Sequence, residues 1–342
     1  MHGNNLIVGQ DCCGILAAIG HTPLVELKRV FADRDFRLFA KLEGLNPGGS
    51  TKDRPAKSII EHGIESGRIN SDTVVVESSS GNMGVGLAQI CAVYKLRFIC
   101  VVDPKTTAQN LRLLKVYGAE ISRVEEPDPV TGEFLQARID RVKSLLELTG
   151  NSFWPDQYSN LYNPRSHHGT MREIVTELKG KVDYLFCATS TCGTMRGCAE
   201  YLKANDLKTK IIAVDAKGSI IFGGVKSKRL IPGHGAAVLP KLFQPNLADE
   251  CIHVSDSDCV VGCHRLVHDE GILAGGSSGA VLMAIEYAKH DIPPGSNCVA
   301  IFPDRGERYL DTIYSEDWVN QNFGDIVRFE QSFMDFAVAG VS

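Results

Sequence analysis

Thr73-Val74-Val75-Val76-Glu77, the stretch Ser78-Ser79-Ser80-Gly81-Asn82-Met83-Gly84 behind it, and Arg97-Phe98-Ile99-Cys100-Val101-Val102 further on decide the fold class. The first run is nearly all β-branched and does not alternate with polar residues, which reads as a strand covered on both faces. The Ser/Gly-rich stretch reads as a loop from 78 to 84, the apolar run from Val85 to about Tyr94 as a helix, and Arg97–Val102 as the next strand. Working outward, Ala108–Tyr117 reads as a helix and Tyr184–Ala188 as a strand. A helix starting near Met195 and strands at Ile211–Asp215 and Asn297–Phe302 continue the alternation. Continuous apolar strands alternating with helices predict an α/β protein with two domains and largely parallel sheets.

The chain has 342 residues, room for about two domains. Its 44% hydrophobic and 23% charged residues fit a folded globular protein rather than a disordered one. With 36 Lys and Arg against 41 Asp and Glu the formal charge is −5, and there is no long basic run. Neither nucleic acid nor an anionic membrane is therefore expected as a partner. No apolar run approaches the roughly 20 residues that span a bilayer, and Met1-His2-Gly3-Asn4-Asn5 does not begin a signal peptide. Most of the eleven cysteines, among them Cys91, Cys100, Cys187 and Cys298, sit in apolar runs and none forms a Cys-x-x-Cys pair. That is the usage of reduced core thiols, so a cytoplasmic location is expected. No Pro/Ser-rich linker marks a boundary. The expected division is a smaller domain at 46–157 inserted in a larger one made of 1–45 and 158–324. The tail 325–342 follows, in which Phe329, Phe333 and Phe336 suggest a short helix packing on a surface or a partner.

Upstream of the first strand lies Asn46-Pro47-Gly48-Gly49-Ser50-Thr51-Lys52-Asp53-Arg54-Pro55-Ala56. Two glycines free the turn from Cβ restrictions, Ser50 is the expected helix N-cap, and Asp53 suits the positive end of the helix dipole. Lys52 is thereby placed on short rigid segments as a nucleophile toward a carbonyl. The 78–84 loop joins a strand to a helix and aims backbone N–H groups and the Ser79 and Ser80 hydroxyls at an anion. Thr189-Ser190-Thr191-Cys192-Gly193-Thr194 is a second such joint, with small hydroxylated residues suited to a phosphate. Gly275-Gly276-Ser277-Ser278-Gly279-Ala280 opens a further helical run, Val281–Lys289. Each loop alone could be no more than a capped helix start. Together they offer a lysine amine, a phosphate cradle, a second anion site and a serine-bearing turn, which is what pyridoxal phosphate needs.

With Pro303-Asp304-Arg305-Gly306-Glu307-Arg308-Tyr309, these motifs make the chain resemble the cysteine synthase and cystathionine β-synthase family from about Ile19 to about Tyr309. The resemblance implies the fold type II architecture of pyridoxal-phosphate enzymes (tryptophan synthase β-like), usually a homodimer with a mobile smaller domain. It implies that Lys52 is the Schiff-base lysine, that Asn82 lies beside the cofactor's 3′ oxygen, and that Ser190, Thr191, Cys192, Gly193 and Thr194 bind its phosphate. Ser277 would meet the ring nitrogen, and Ser79, Ser80, Gly81 and Gln157 would hold the substrate carboxylate. A neutral serine keeps the ring a weaker electron sink than a carboxylate would, which suits β-elimination. The chain departs from the family's Gly-Thr-Gly-Gly-Thr phosphate loop at Thr191 and Cys192.

The runs Val101–Lys105, Val124–Asp128, Val214–Ser219 and Phe302–Gly306 are similar to the siderophore-pathway branch that makes N-(2-amino-2-carboxyethyl)-L-glutamate, a precursor of 2,3-diaminopropionate. That branch implies O-phospho-L-serine as donor and L-glutamate as nucleophile. Both are polyanions that call for cationic help, for which Arg138 is the candidate and Arg165 a second; the alternative for each is a solvated surface arginine. The rival readings are cysteine synthase, a serine or threonine dehydratase, a non-catalytic binding protein, and a dinucleotide-binding oxidoreductase, whose glycine fingerprint is not matched. His167 and His168 could touch substrate but read as capping or surface residues. Cys12 and Cys13 read as structural, and Cys259 and Cys263 lack further ligands for zinc, so no metal is expected.

Overall fold

The computed structural model describes residues 14–130, 132–324 and 326; Cys12, Cys13, Phe329, Phe333 and Phe336 lie outside them. In chain order the first half comprises β1 (Leu24–Leu27), β2 (Arg37–Leu42), α1 (Asp53–Glu65), β3 (Val74–Ser78), α2 (Asn82–Tyr94), β4 (Arg97–Val102), α3 (Ala108–Val116), β5 (Glu120–Arg123), α4 (Phe134–Thr149) and β6 (Ser152–Phe153). There follow α5 (Tyr162–Glu177), β7 (Tyr184–Ala188), α6 (Gly193–Ala204), β8 (Lys210–Ala216), β9 (Glu250–Val254), α7 (Asp256–Glu270), α8 (Gly276–Ala288), β10 (Asn297–Phe302) and α9 (Glu316–Phe323). No described helix is long and apolar enough to cross a membrane.

The chain forms two compact units, one from Met1–His21 with Asn46–Gly169, the other from Thr22–Leu45 with Thr170–Ser342. In the first, four parallel strands run in the order β5-β4-β3-β6. The β3 run is buried at all five positions, so both faces must be covered. On one face α1 and α2 supply Ile59, Ile60, Leu87 and Ile90 around Val75 and Phe98. On the other, Val142 of α4 packs among Val74, Val76, Ile99 and Val101. In the second unit six strands run β1-β2-β10-β7-β8-β9, all parallel except β1. The apolar helix α8 fills the core on one side, with Ala280, Val281, Leu282 and Ile285 against Phe186, Val214 and Ala300. This is the expected α/β class with largely parallel sheets.

Four helix starts differ from the sequence reading, one of them the run expected from Val281, which begins already at Gly276 as α8. The second helix begins at Asn82 rather than Val85, because the Ser79 hydroxyl oxygen accepts the Gly84 N–H at 2.9 Å and caps a turn that carries no apolar period. The helix expected near Met195 begins at Gly193. Ser50 is not the cap of α1: residues 50–53 close a tighter turn, with the Asp53 N–H on the Ser50 carbonyl at 3.3 Å, and the helix starts only at Asp53. The cysteines at 91, 100, 187 and 298 are buried.

Candidate active site

Lys52 stands at the exit of a pinned turn in the first unit. The Gly49 N–H bonds the Asn46 carbonyl at 2.8 Å with Gly49 at φ +84°, a left-handed position that favours glycine. The Asp53 carboxylate accepts the Gly48 N–H at 2.5 Å, and the Ser50 hydroxyl accepts the Lys52 N–H at 3.2 Å. Thr51, Asp53 and Arg54 are buried while Lys52 is half-buried, so its backbone is fixed and its chain keeps access. His167, expected to be a capping or surface residue, is instead fully buried. Burial first, then the neighbouring Lys52, Arg54 and His168, hold its pKa well below 6.5, and the imidazole is neutral.

The serine loop leaves the carboxyl end of β3, where parallel α/β sheets present their ligands. Besides Gly84, the Ser79 oxygen accepts the Gly81 N–H at 3.3 Å, and the Ser80 carbonyl accepts from the Asn110 side chain at 3.1 Å. Asn82 is the first helical residue of α2, so the leading N–H groups there have no intrahelical acceptor. Gln157 joins this loop from far along the chain: its side-chain amide donates to the Ser78 carbonyl at 3.2 Å. Ser79, Ser80, Gly81, Asn82 and Gln157 are thus gathered at one place.

Arg138 lies on the inner face of α4, one turn before Val142, with its Nε 3.2 Å from Asp103 at the end of β4. Both are buried, 7% and 2% exposed, so the solvated-surface reading of Arg138 is excluded. Arg165 is exposed, its guanidinium 4.9 Å above the Tyr162 ring. Sequence reasoning missed two groups here. Tyr158 has its pKa raised, by burial first, against the lowering pull of Arg138, with Glu77, Asp103 and Asp156 adding to the rise. Glu77, at the end of β3, is fully buried; the one signal was a charge closing an otherwise apolar strand.

In the second unit the 189–194 loop joins β7 to α6. Thr189 is held on three sides: its N–H on the Val214 carbonyl at 2.9 Å, its hydroxyl on buried Asp215 at 2.9 Å, and its carbonyl under the Gly235 N–H at 2.7 Å. Cys192 takes a left-handed conformation at φ +66°, one that favours glycine, with its thiol buried in the core. Burial pushes that thiol up to about 12, so it packs rather than reacts. The Thr191 hydroxyl accepts the Gly193 N–H at 3.3 Å. Ser277 is the second residue of α8. The turn before it is shaped by the 303–309 run: a β-carbon on Gly275 would collide with the Asp304 carboxylate, and Ala274 bridges to Arg305. Two motifs far apart in sequence are one structural piece.

The first unit therefore carries Lys52, the serine loop, Gln157 and Arg138, and the second carries Ser190–Thr194 and Ser277. Each unit's donors fit a part of pyridoxal phosphate. The 189–194 loop offers hydroxyls and the N-terminal N–H groups of α6 and holds no carboxylate, as a dianion requires. Lys52 supplies a primary amine on a rigid turn, and Ser277 a neutral hydroxyl.

A model of the family "Pyridoxal-phosphate dependent enzyme" matches residues 15–304. Three solved structures are similar over nearly their whole length. A hydrogen sulfide-producing enzyme from Fusobacterium nucleatum is 32% identical, with a TM-score of 0.81 over 88% of this chain and 99% of its own. An O-acetylserine dependent cystathionine beta-synthase from Helicobacter pylori is 31% identical, with a TM-score of 0.82 over 90% and 100%. An O-ureido-L-serine synthase is 28% identical, with a TM-score of 0.82 over 89% and 98%. The chain belongs to the pyridoxal-phosphate dependent enzymes, with the fold type II architecture of the cysteine synthase-like group.

Proposed function

We propose that this enzyme carries out β-replacement on O-phospho-L-serine with L-glutamate as the amine nucleophile. The products are N-(2-amino-2-carboxyethyl)-L-glutamate, a precursor of 2,3-diaminopropionate, and phosphate. The observation that carries this reading is Arg138, a buried arginine at the carboxyl end of the sheet that also bears the serine loop. A sulfide nucleophile and an acetate leaving group need no such cation, whereas a phosphate leaving group and a dicarboxylate acceptor do.

Bound pyridoxal phosphate supplies the electron sink that makes the donor's Cα–H acidic and lets the Cβ substituent depart. In this reading the Lys52 amine takes the Cα proton. Ser79, Ser80, Gly81 and Gln157 bind the donor's carboxylate, so that the Cα–H faces that amine. Asn82 would serve the cofactor's 3′ oxygen, Ser190–Thr194 would hold its phosphate, and Ser277 would offer the ring nitrogen a neutral hydroxyl that does not keep it protonated. Arg138 stabilises negative charge on the departing phosphate or on the incoming glutamate. The assembly we infer is a homodimer, to be checked by light scattering.

A second reading is cysteine synthesis from O-acetylserine and sulfide; one relative is named as O-acetylserine dependent and another as hydrogen sulfide-producing, which keeps that donor and sulfur chemistry in play. A competition assay separates the two. Purified enzyme receives O-phosphoserine or O-acetylserine with glutamate and sulfide both present, and products are identified by mass spectrometry. Aminocarboxyethyl-glutamate formed mainly from O-phosphoserine supports the proposal. Cysteine as the dominant product returns the chain to the cysteine synthases.

A further inference from the structure

We propose that Glu77 is the positioning residue of the donor-carboxylate site, a buried carboxylate that locks the serine loop and Gln157 into one frame. The inference rests on the reading that Ser79, Ser80, Gly81 and Gln157 hold the donor's carboxylate. Glu77 Oε1 accepts the Ser78 N–H at 2.8 Å and the Trp154 indole N–H at 3.2 Å, and Oε2 accepts the Gln157 N–H at 3.2 Å. Ser78 returns the tie through its carbonyl, which accepts the Gln157 side-chain amide. Gln157 is therefore fixed to the loop twice, by main chain and by side chain. Its amide nitrogen carries two hydrogens, and one remains to be given to a carboxylate.

The strand itself does not need this charge. Cys100, opposite Glu77 on β4, is a thiol, and the rest of β3 is apolar valine up to Ser78. A fully buried carboxylate bonded by three N–H groups and, among the described residues, by no cation is costly to keep. What it accomplishes is to join two segments nearly 80 positions apart. The titratable groups facing this corner are Asp156, whose charge opposes that of Glu77, with Cys100 and Tyr158, and Arg138 and Asp103 acting on the same Tyr158. Burial outweighs the three donors and pushes Glu77 up to about 7. Ionised, it accepts all three bonds. Protonated, it sets an O–H against an N–H donor and the frame loosens as pH falls.

The test uses the pyridoxal-phosphate-loaded enzyme with O-acetyl-L-serine and O-phospho-L-serine as probes. Donor binding is read from cofactor absorbance without nucleophile, beside the Kd for pyridoxal phosphate. Glu77→Gln should raise the Kd of both donors by the same factor, about tenfold, with cofactor affinity unchanged within about twofold. Trp154→Phe, which removes one donor and keeps the ring, should raise both by about threefold. In the wild type the Kd for O-acetylserine should climb more steeply between pH 8 and pH 6 than in Glu77→Gln, whose remaining climb is that of the donor's own α-ammonium group. Equal donor affinity in wild type and Glu77→Gln, unequal effects on the two donors, or a pH dependence equally steep in both proteins would overturn the proposal. So would a wild type whose absorbance neither donor changes. If donor binding splits as expected but no aminocarboxyethyl-glutamate forms, the positioning role stands and the proposed reaction falls.

Discussion

Arg138 and Asp103 face each other with almost no access to water, and removing one leaves the other charge buried. Arg138→Ala should cost about 3–5 kcal/mol in urea unfolding, while the double change Arg138→Ala with Asp103→Ala should recover most of that loss. Both variants should bind O-phosphoserine or glutamate more weakly; a double variant as unstable as the single would show that the pair does not act as a unit. Glu77 is tied to pH by linkage. Its folded pKa lies above the ordinary 4.5, at about 7, so the native state holds that proton more tightly than the unfolded chain. The associated stability is fully present below pH 4.5 and is lost as pH rises through about 7, a change of about 3 kcal/mol. The difference in unfolding free energy between Glu77→Gln and wild type should therefore shift by that amount in favour of the variant from pH 5 to pH 8. A difference that stays flat across this range would mean Glu77 is ionised throughout. The lysine turn and the hydroxylated loops were legible in sequence because glycines and small hydroxyls announce the conformations they permit. Glu77 was not, and Arg138 was legible only as a candidate beside Arg165, since a charge at a strand end or on a helix reads as solvated until Trp154, Gln157 or Asp103 arrives from elsewhere in the chain to cover it.

Between elements, the tightest fit is α7 against α8. A β-carbon on Gly262 would run into the Gly279 carbonyl, and one on Gly279 into the Cys259 carbonyl and the Cys263 sulfur. Backbone on both sides cannot retreat as a flexible side chain can, so Gly279→Ala should destabilise by about 3 kcal/mol and lower Tm by several degrees. An unchanged melting curve would show that the helices slide apart freely. In sequence this glycine looked like one more loop residue ahead of a helix. The strands of the opening βαβ stretch were legible because unbroken β-branched runs have few other uses. The two-residue β6 and the half-exposed β5 carry no such run, and the order of strands in either sheet depends on pairings that no local pattern records.

At the scale of the molecule, neither unit is one continuous segment. The Thr22–Leu45 piece is held in the second unit by β2 lying between β1 and β10. Lys41, 1% exposed, adds a bond to the Thr22 carbonyl and an ion pair at 2.7 Å with Glu173. Lys41→Ala should cost about 3–5 kcal/mol, read by denaturant unfolding; a loss under about 1 kcal/mol would mean strand pairing alone anchors the piece. The central position of β10 has a bearing on synthesis. A ribosome delivers β2 early, then the whole Asn46–Gly169 segment, and only much later Asn297–Phe302. Until then β2 offers a bare hydrogen-bonding edge to any neighbour, in a growing chain whose first-unit sheet can already close. Translation pauses or chaperone shortage after residue 170 should hence hurt yield more than those before it, because that interval is when the edge waits for the strand that will cover it.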